Sequence, residues 1–169
     1  MIIVVMGVSG SGKTTIGKLL ADSLDWGFSD ADAFHSPENV EKMRRGIALS
    51  EADRMPWLQD LQTAIKHWLE ENKNVVLACS ALKASYRQFL VLDSDGFANA
   101  KDERIKLVYL KGSYELIQIR LQERHNHYMT EKLLNSQFIT LEEPLDTISM
   151  DVAQPPQIIV QNIRTALGI

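Results

Sequence analysis

Gly7-Val8-Ser9-Gly10-Ser11-Gly12-Lys13-Thr14 fills every fixed position of the pattern G-x-x-x-x-G-K-[ST]. The apolar run Ile2-Ile3-Val4-Val5-Met6 stands directly before it, and an amphipathic stretch from Thr15 to Leu24 stands directly after. Strand, glycine loop and helix in that order give the octapeptide a physical task. Glycines let the backbone curl until successive N–H groups point into one concavity. The following helix adds the positive end of its dipole. The stretch from Gly7 through Thr14 and Thr15 is therefore expected to hold the phosphates of ATP. Lys13 would reach the β- and γ-phosphates, and the Thr14 hydroxyl would ligate Mg²⁺. A chance Gly/Ser-rich turn would not carry a strand on one side and a helix on the other.

The 169 residues fit one domain, 1–169, with enough chain to bury a core. A hydrophobic share of 45% and a charged share of 24% are ordinary for a soluble globular protein. The net charge of −4 leaves no electrostatic footprint for nucleic acid. Cys79 is the sole cysteine, which rules out an intrachain disulfide. The N-terminal apolar run is too short for a signal-peptide core and has no basic leader. No stretch approaches the roughly 18 apolar residues of a membrane helix. The expectation is a cytoplasmic protein with no membrane partner.

Working outward, Val75-Val76-Leu77-Ala78-Cys79 and Lys106-Leu107-Val108-Tyr109-Leu110 read as buried parallel strands, and Thr147 to Met150 as a weaker one. A short strand ends at Phe28-Ser29-Asp30. Helical patterns separate them over Pro37–Arg45, Pro56–Glu71, Leu82–Leu90, Tyr114–Arg124 and Pro156–Leu167. The polar stretch Leu92 to Arg104 reads as a surface loop. This alternation predicts an α/β fold, a parallel sheet with helices on both faces.

The strand ending at Cys79 runs into Ser80-Ala81-Leu82-Lys83 without a carboxylate. The acids stand instead at Asp30 and Asp32, after the second strand, at the sheet edge where ligands bind. One could hold magnesium, for which Asp30 is the candidate. The other, Asp32, could accept the proton of an attacking hydroxyl. A solvated acidic turn is the competing reading, which the phosphate loop weakens. Asp93-Ser94-Asp95-Gly96 fits D-x-x-G, but it lies in the polar loop and no Asn-Lys-x-Asp appears, so a GTPase is excluded.

Arg120 and Arg124 lie four apart on a helical pattern and share a face. They lead into His125-Asn126-His127-Tyr128, a polar stretch suited to a lid over about 124–138. Arginines on a closing lid can neutralise charge on a transferring phosphoryl group. The same arginines could instead pair with Glu115 and Glu123. His125 and His127 lack a third ligand in sequence and read as solvated rather than metal-binding.

The chain resembles the small phosphate-loop gluconate kinases, which are similar in fold to shikimate kinase and the nucleoside monophosphate kinases. The likeness runs from the phosphate loop to about Pro144. It rests on Asp30-Ala31-Asp32-Ala33-Phe34-His35, Asp53-Arg54-x-Pro56-Trp57-Leu58, Cys79-Ser80-Ala81-Leu82-Lys83 with Tyr86-Arg87, and Ser136-Gln137-Phe138-x-Thr140-Leu141-Glu142-x-Pro144. The last two blocks are much more specific than the loop.

The resemblance implies ATP-dependent phosphorylation of the 6-hydroxyl of D-gluconate. It also implies sheet order 2-3-1-4-5, a helical substrate segment over about 33–72, and a homodimer. Gluconate is a polyhydroxylated monocarboxylate, so its pocket needs a cation and several polar groups. Arg54, Lys83 and Arg87 are the cation candidates, and His35 and Gln137 the hydroxyl partners. Each has a competing use: Arg54 could pair with Asp53 or Glu51, and Lys83 and Arg87 could form a solvated helix face. Trp57, Trp68 and Phe138 read as core. The adenine is expected beside the loop Asp151–Pro156, against the carbonyls around Gln154 and Pro155. The family often has Gly-x-Pro-Leu-x-Asp where this chain has Gly46-Ile47-Ala48-Leu49-Ser50-Glu51. Three other readings stay open: a kinase for another hydroxy acid such as shikimate, a nucleoside monophosphate kinase, and a non-catalytic nucleotide switch.

Overall fold

The computed structural model describes residues 1–91, 102–124, 130–145 and 147–169. Most of the expected loop from Leu92, and the stretch His125 to Tyr128 expected in the lid, lie outside the described residues. Strands β1 (Ile2–Met6), β2 (Gly27–Asp30), β3 (Val75–Ala78), β4 (Ile105–Lys111) and β5 (Ile148–Asp151) form one sheet in the order β2-β3-β1-β4-β5. Every pairing is parallel, with Val4 facing Leu77 on one side and Leu107 on the other. This is the order the resemblance implies.

β1 is buried on both faces, and its alternation assigns its residues to two cores. Ile3 and Val5 join the cluster under α1 (Lys13–Leu24) and α7 (Pro156–Leu167). Ile2, Val4 and Met6 join the cluster under α3 (Glu51–Glu70), with Leu58, Leu61 and Ile65. The remaining helices are α2 (Pro37–Arg44), α4 (Ala84–Val91), α5 (Tyr114–Gln122) and α6 (Glu131–Thr140). Among the described residues, no helix is long and apolar enough to cross a membrane.

Two helix starts and one further helix depart from the sequence reading, each for a local reason. α3 begins at Glu51, not at Pro56. Ser50 accepts from the Asp53 N–H while the Asp53 carboxylate accepts from the Ser50 N–H, and this reciprocal cap carries the helix through the proline. α4 begins at Ala84 because Ala81 sits at φ 43, in left-handed backbone that a helix cannot include. α6 is a separate helix that begins within the segment expected as lid and runs past its end. Its Thr130 side chain accepts from the Leu133 N–H and starts it.

Candidate active site

Parallel strands bring their carboxyl ends to one edge. The loop after β1, Asp30 at the end of β2 and Ser80 after β3 meet there, beside the point where the strand order reverses. The phosphate loop takes its shape from backbone that side chains cannot follow. Gly7 has φ 154, and a Cβ there would stand 2.6 Å from Ser11 Oγ and 2.9 Å from the Leu110 carbonyl. Gly10 has φ 82. Helix α1 then begins without a capping side chain and without an acid in its first turn. Its first N–H groups and its dipole are therefore left for an anionic guest, which fits a phosphate group.

Lys13 Nζ folds back over the loop and donates to the Val8 carbonyl at 3.0 Å. Burial pulls its pKa below the ordinary lysine value against the opposing pull of Asp32, and the charge of Arg124 adds to the lowering. Arg124 itself is exposed, just beyond the end of α5. Thr14 Oγ1 donates to Asp30 Oδ2 at 2.9 Å, and Asp30 Oδ1 accepts from the Asp32 N–H at 3.0 Å. One carboxylate thus joins the loop to the short 3₁₀ turn Ala31–Phe34 that carries Asp32. A hydroxyl and a carboxylate are the hard oxygen donors Mg²⁺ takes, and a cation bound mostly through water and phosphate needs no larger protein cage. No cluster of three or more His, Cys, Asp or Glu residues suited to a metal occurs among the described residues.

A polar pocket adjoins the loop. Ser9, Lys13, Asp32, His35, Arg54, Trp57, Tyr86 and Gln137 line it, with Met43, Leu49, Ser80, Leu82 and Thr140. His35 stacks on Trp57 at 4.4 Å with the rings 10° apart, and Trp57 Nε1 donates to the Ala31 carbonyl at 2.8 Å. Burial holds the His35 pKa below its ordinary value; Arg54 helps and Asp32 opposes. Burial thus favours the neutral imidazole. Trp57 is both core and pocket wall, whereas the sequence reading gave it only the first role. Gln137, from α6, accepts the Ser9 N–H on Oε1 at 2.7 Å, so the helix in the lid segment touches the phosphate loop directly.

Of the three expected cations, only Arg54 lines the pocket. Neither acid suggested as its partner pairs with it. Asp53 is held by Lys42 at 2.9 Å, and Glu51 by Lys83 at 2.5 Å. Arg54 Nη1 donates instead to the Tyr86 hydroxyl at 3.2 Å. Lys83 and Arg87 do not line this pocket and have partners elsewhere. Lys83 is engaged by Glu51. The Arg87 guanidinium donates to the carbonyls of Ala81, Leu82 and Glu142, at 2.8, 3.0 and 2.8 Å, and ties the turn before α4 to the chain beyond α6. Tyr86 stood in a family block without a role; its burial at 6% exposure and its place on the pocket wall give it one.

On the far side of the sheet, Arg120 Nη2 donates to the Val152 carbonyl at 2.5 Å, fixing α5 to the loop after β5. The Pro155 carbonyl receives Ile158 and Ile159 N–H at 3.0 and 3.1 Å. Helix α7 therefore uses one of the loop carbonyls beside which adenine was expected. Gln154 is exposed, and its N–H donates to Asp151. Cys79 is packed at the strand end as expected, and burial pushes its thiol up to about 12, which leaves it inert.

A phosphate loop, an acid pair and an adjoining pocket on one sheet edge fit a kinase of the phosphate-loop class. The sequence profile of the shikimate kinase family matches residues 9–164. The gluconokinase of Arabidopsis thaliana is 42% identical over 96% of this chain and 89% of its own. That of Gluconobacter oxydans (strain 621H) is 40% identical over 95% of this chain and 88% of its own. The crystal structure of a gluconokinase from Sinorhizobium meliloti 1021 superposes with a TM-score of 0.82 at 41% identity, covering 98% of this chain and 90% of that one. The chain belongs to the shikimate kinase family and, within it, to the gluconokinases.

Proposed function

We propose that this protein transfers the γ-phosphoryl group of ATP to the 6-hydroxyl of D-gluconate, giving 6-phospho-D-gluconate and ADP. The observation that carries the reading is one pocket lined by Lys13 of the phosphate loop, the Asp32 carboxylate and the Arg54 guanidinium. Relatives named gluconokinase over nearly the whole chain supply the acceptor.

The roles follow from chemistry. The loop N–H groups and the start of α1 hold the phosphates. Mg²⁺, taken up through Thr14 and Asp30, would supply charge neutralisation between the phosphates. Asp32 accepts the proton of the 6-hydroxyl as that oxygen bonds to the γ-phosphorus and the bond to the bridging oxygen of ADP breaks. Lys13, with Arg124 and Arg120 from the α5 side, neutralises charge on the transferring group. Arg54 reads the gluconate carboxylate, and His35 and Gln137 meet hydroxyl groups along its chain. The single domain 1–169 and a cytoplasmic setting, read from length and composition, and the substrate segment over 33–72, the lid over 124–138 and a homodimeric assembly, implied by the resemblance, belong to the same proposal.

Coupled ADP release with Mg·ATP tests the reaction, with gluconate, shikimate, AMP and no acceptor run side by side. Turnover that depends on gluconate, on the order of 1–100 s⁻¹, is expected. Turnover with shikimate alone would keep the fold and replace the acceptor. Slow hydrolysis indifferent to every acceptor would mean a nucleotide switch.

A further inference from the structure

Arg54 reaches the pocket through an arrangement of four side chains on two helices. Glu51 and Arg54 lie three apart in the first turns of α3 and share a face, while Lys83 and Tyr86 stand at the start of α4, which packs on α3. A glutamate in that position would ordinarily take the arginine for itself. Here Lys83 Nζ occupies Glu51 Oε1 at 2.5 Å, and the Tyr86 hydroxyl donates to the same oxygen at 2.8 Å. The mutual hydrogen bond holds the Glu51 carboxyl below and the Lys83 ammonium above their ordinary pKa values.

A phenol has one proton. With that proton committed to Glu51, which can only accept, the Tyr86 oxygen turns its lone pair to Arg54 Nη1 at 3.2 Å. The Tyr86 ring adds a weaker attraction, with the Arg54 guanidinium carbon 5.9 Å from its centroid. Arg54 therefore has one donor anchored on a neutral oxygen and keeps a guanidinium edge for an incoming carboxylate. Lys83 balances the charge of Glu51, so the pair does not repel an anionic acceptor. This gives the lysine outside the pocket and the glutamate that departs from the family pattern a common purpose.

We propose that Tyr86 is a positioning residue for acceptor specificity: it presents Arg54 to the acceptor's carboxylate, and the Glu51–Lys83 pair sets the direction of its hydroxyl. The proposal rests on the carboxylate role given to Arg54 above.

The test is a double-mutant cycle of Tyr86→Phe and Arg54→Ala, read as KM for gluconate and KM for ATP, with the melting temperature of each variant as a control on folding. Phenylalanine keeps the ring and removes only the hydroxyl. Tyr86→Phe is expected to raise the gluconate KM about tenfold, as for a lost hydrogen bond to a charged group. The ATP KM should hold. In the Arg54→Ala background the same change should add nothing, because the group it positions is gone. If Tyr86→Phe multiplies the gluconate KM by the same factor in both backgrounds, or raises both KM values together, its role is general packing and the proposal fails. If Arg54→Ala raises the gluconate KM while Tyr86→Phe leaves it unchanged, the relay fails and the reading of Arg54 stands. If Arg54→Ala itself leaves that KM unchanged, the reading of Arg54 fails and the relay with it.

Discussion

Helices α1 and α3 both point their N-termini toward the active-site edge, and they begin in opposite ways. α1 starts after Gly12, with no side-chain cap and no acid in its first turn. α3 starts with the reciprocal cap of Ser50 and Asp53 and has Glu51 beside it. The first helix leaves its backbone donors unanswered, so an anion completes it. The second answers its own donors and contributes side chains, Arg54 and Trp57, to the pocket wall. Phosphate recognition, as proposed, rests on eight consecutive residues and their backbone. Acceptor recognition, as proposed, draws on side chains from distant segments that hold one another. Each side can be broken separately.

The largest effect is expected on the phosphate side. Lys13→Ala removes the ammonium that faces the transferring charge, and kcat should fall on the order of a thousandfold in steady-state ADP release. Full turnover in this variant would mean that the open helix end suffices alone. Asp32→Asn follows, with kcat lower by about a hundredfold or more. Calorimetric titration should show its ATP affinity little changed, and a matching loss of ATP binding would assign Asp32 to the nucleotide side. Arg54→Ala should raise the gluconate KM by about ten- to a hundredfold, the range for losing a charged hydrogen-bonding partner. ATP should keep its KM. An equal rise for both substrates would erase the division between the two helix ends. Ser50→Ala should cost about 1 kcal/mol in urea unfolding, as lost caps do, with kcat little affected.

The same division explains what could be read from sequence. The phosphate loop and the acid pair are local patterns, the parallel sheet follows from strand–helix alternation, and the strand order came with the resemblance; the structure has them all. The cations could not be sorted, because type and spacing are silent about partners. Lys83, Arg87 and Arg54 all fall in family blocks. Only contacts across α3, α4 and the segment after α6 reveal that Glu51 holds the first, that carbonyls hold the second and that the third reaches the pocket. Pro56 hid the true start of α3, although the cap at Ser50-x-x-Asp53 was there to be read. Helix α6 was hidden by the polar stretch before it. The Thr130 cap was the available signal.

The smallest expected effect bears on the closed end of α3 itself. Asp53 accepts from Lys42 Nζ and from the Ser50 N–H, chiefly the former, and its carboxyl is lowered from 3.8 to about 2. A carboxylate whose folded pKa lies below its unfolded one binds fewer protons when folded. It adds stability in full above the unfolded value and loses it as pH falls through the folded one. Asp53→Asn should therefore unfold at a lower urea concentration than the parent at neutral pH. The gap should close as the pH is taken from about 4 toward 2, once the parent's own carboxylate is protonated. An exposed pair is also screened, so salt should narrow the gap at neutral pH. A gap indifferent to both acid and salt would mean that the cap works through shape rather than charge. In that case the contrast with α1 lies only in which N–H groups are covered, and the negative charge at the start of α3 has no part in it.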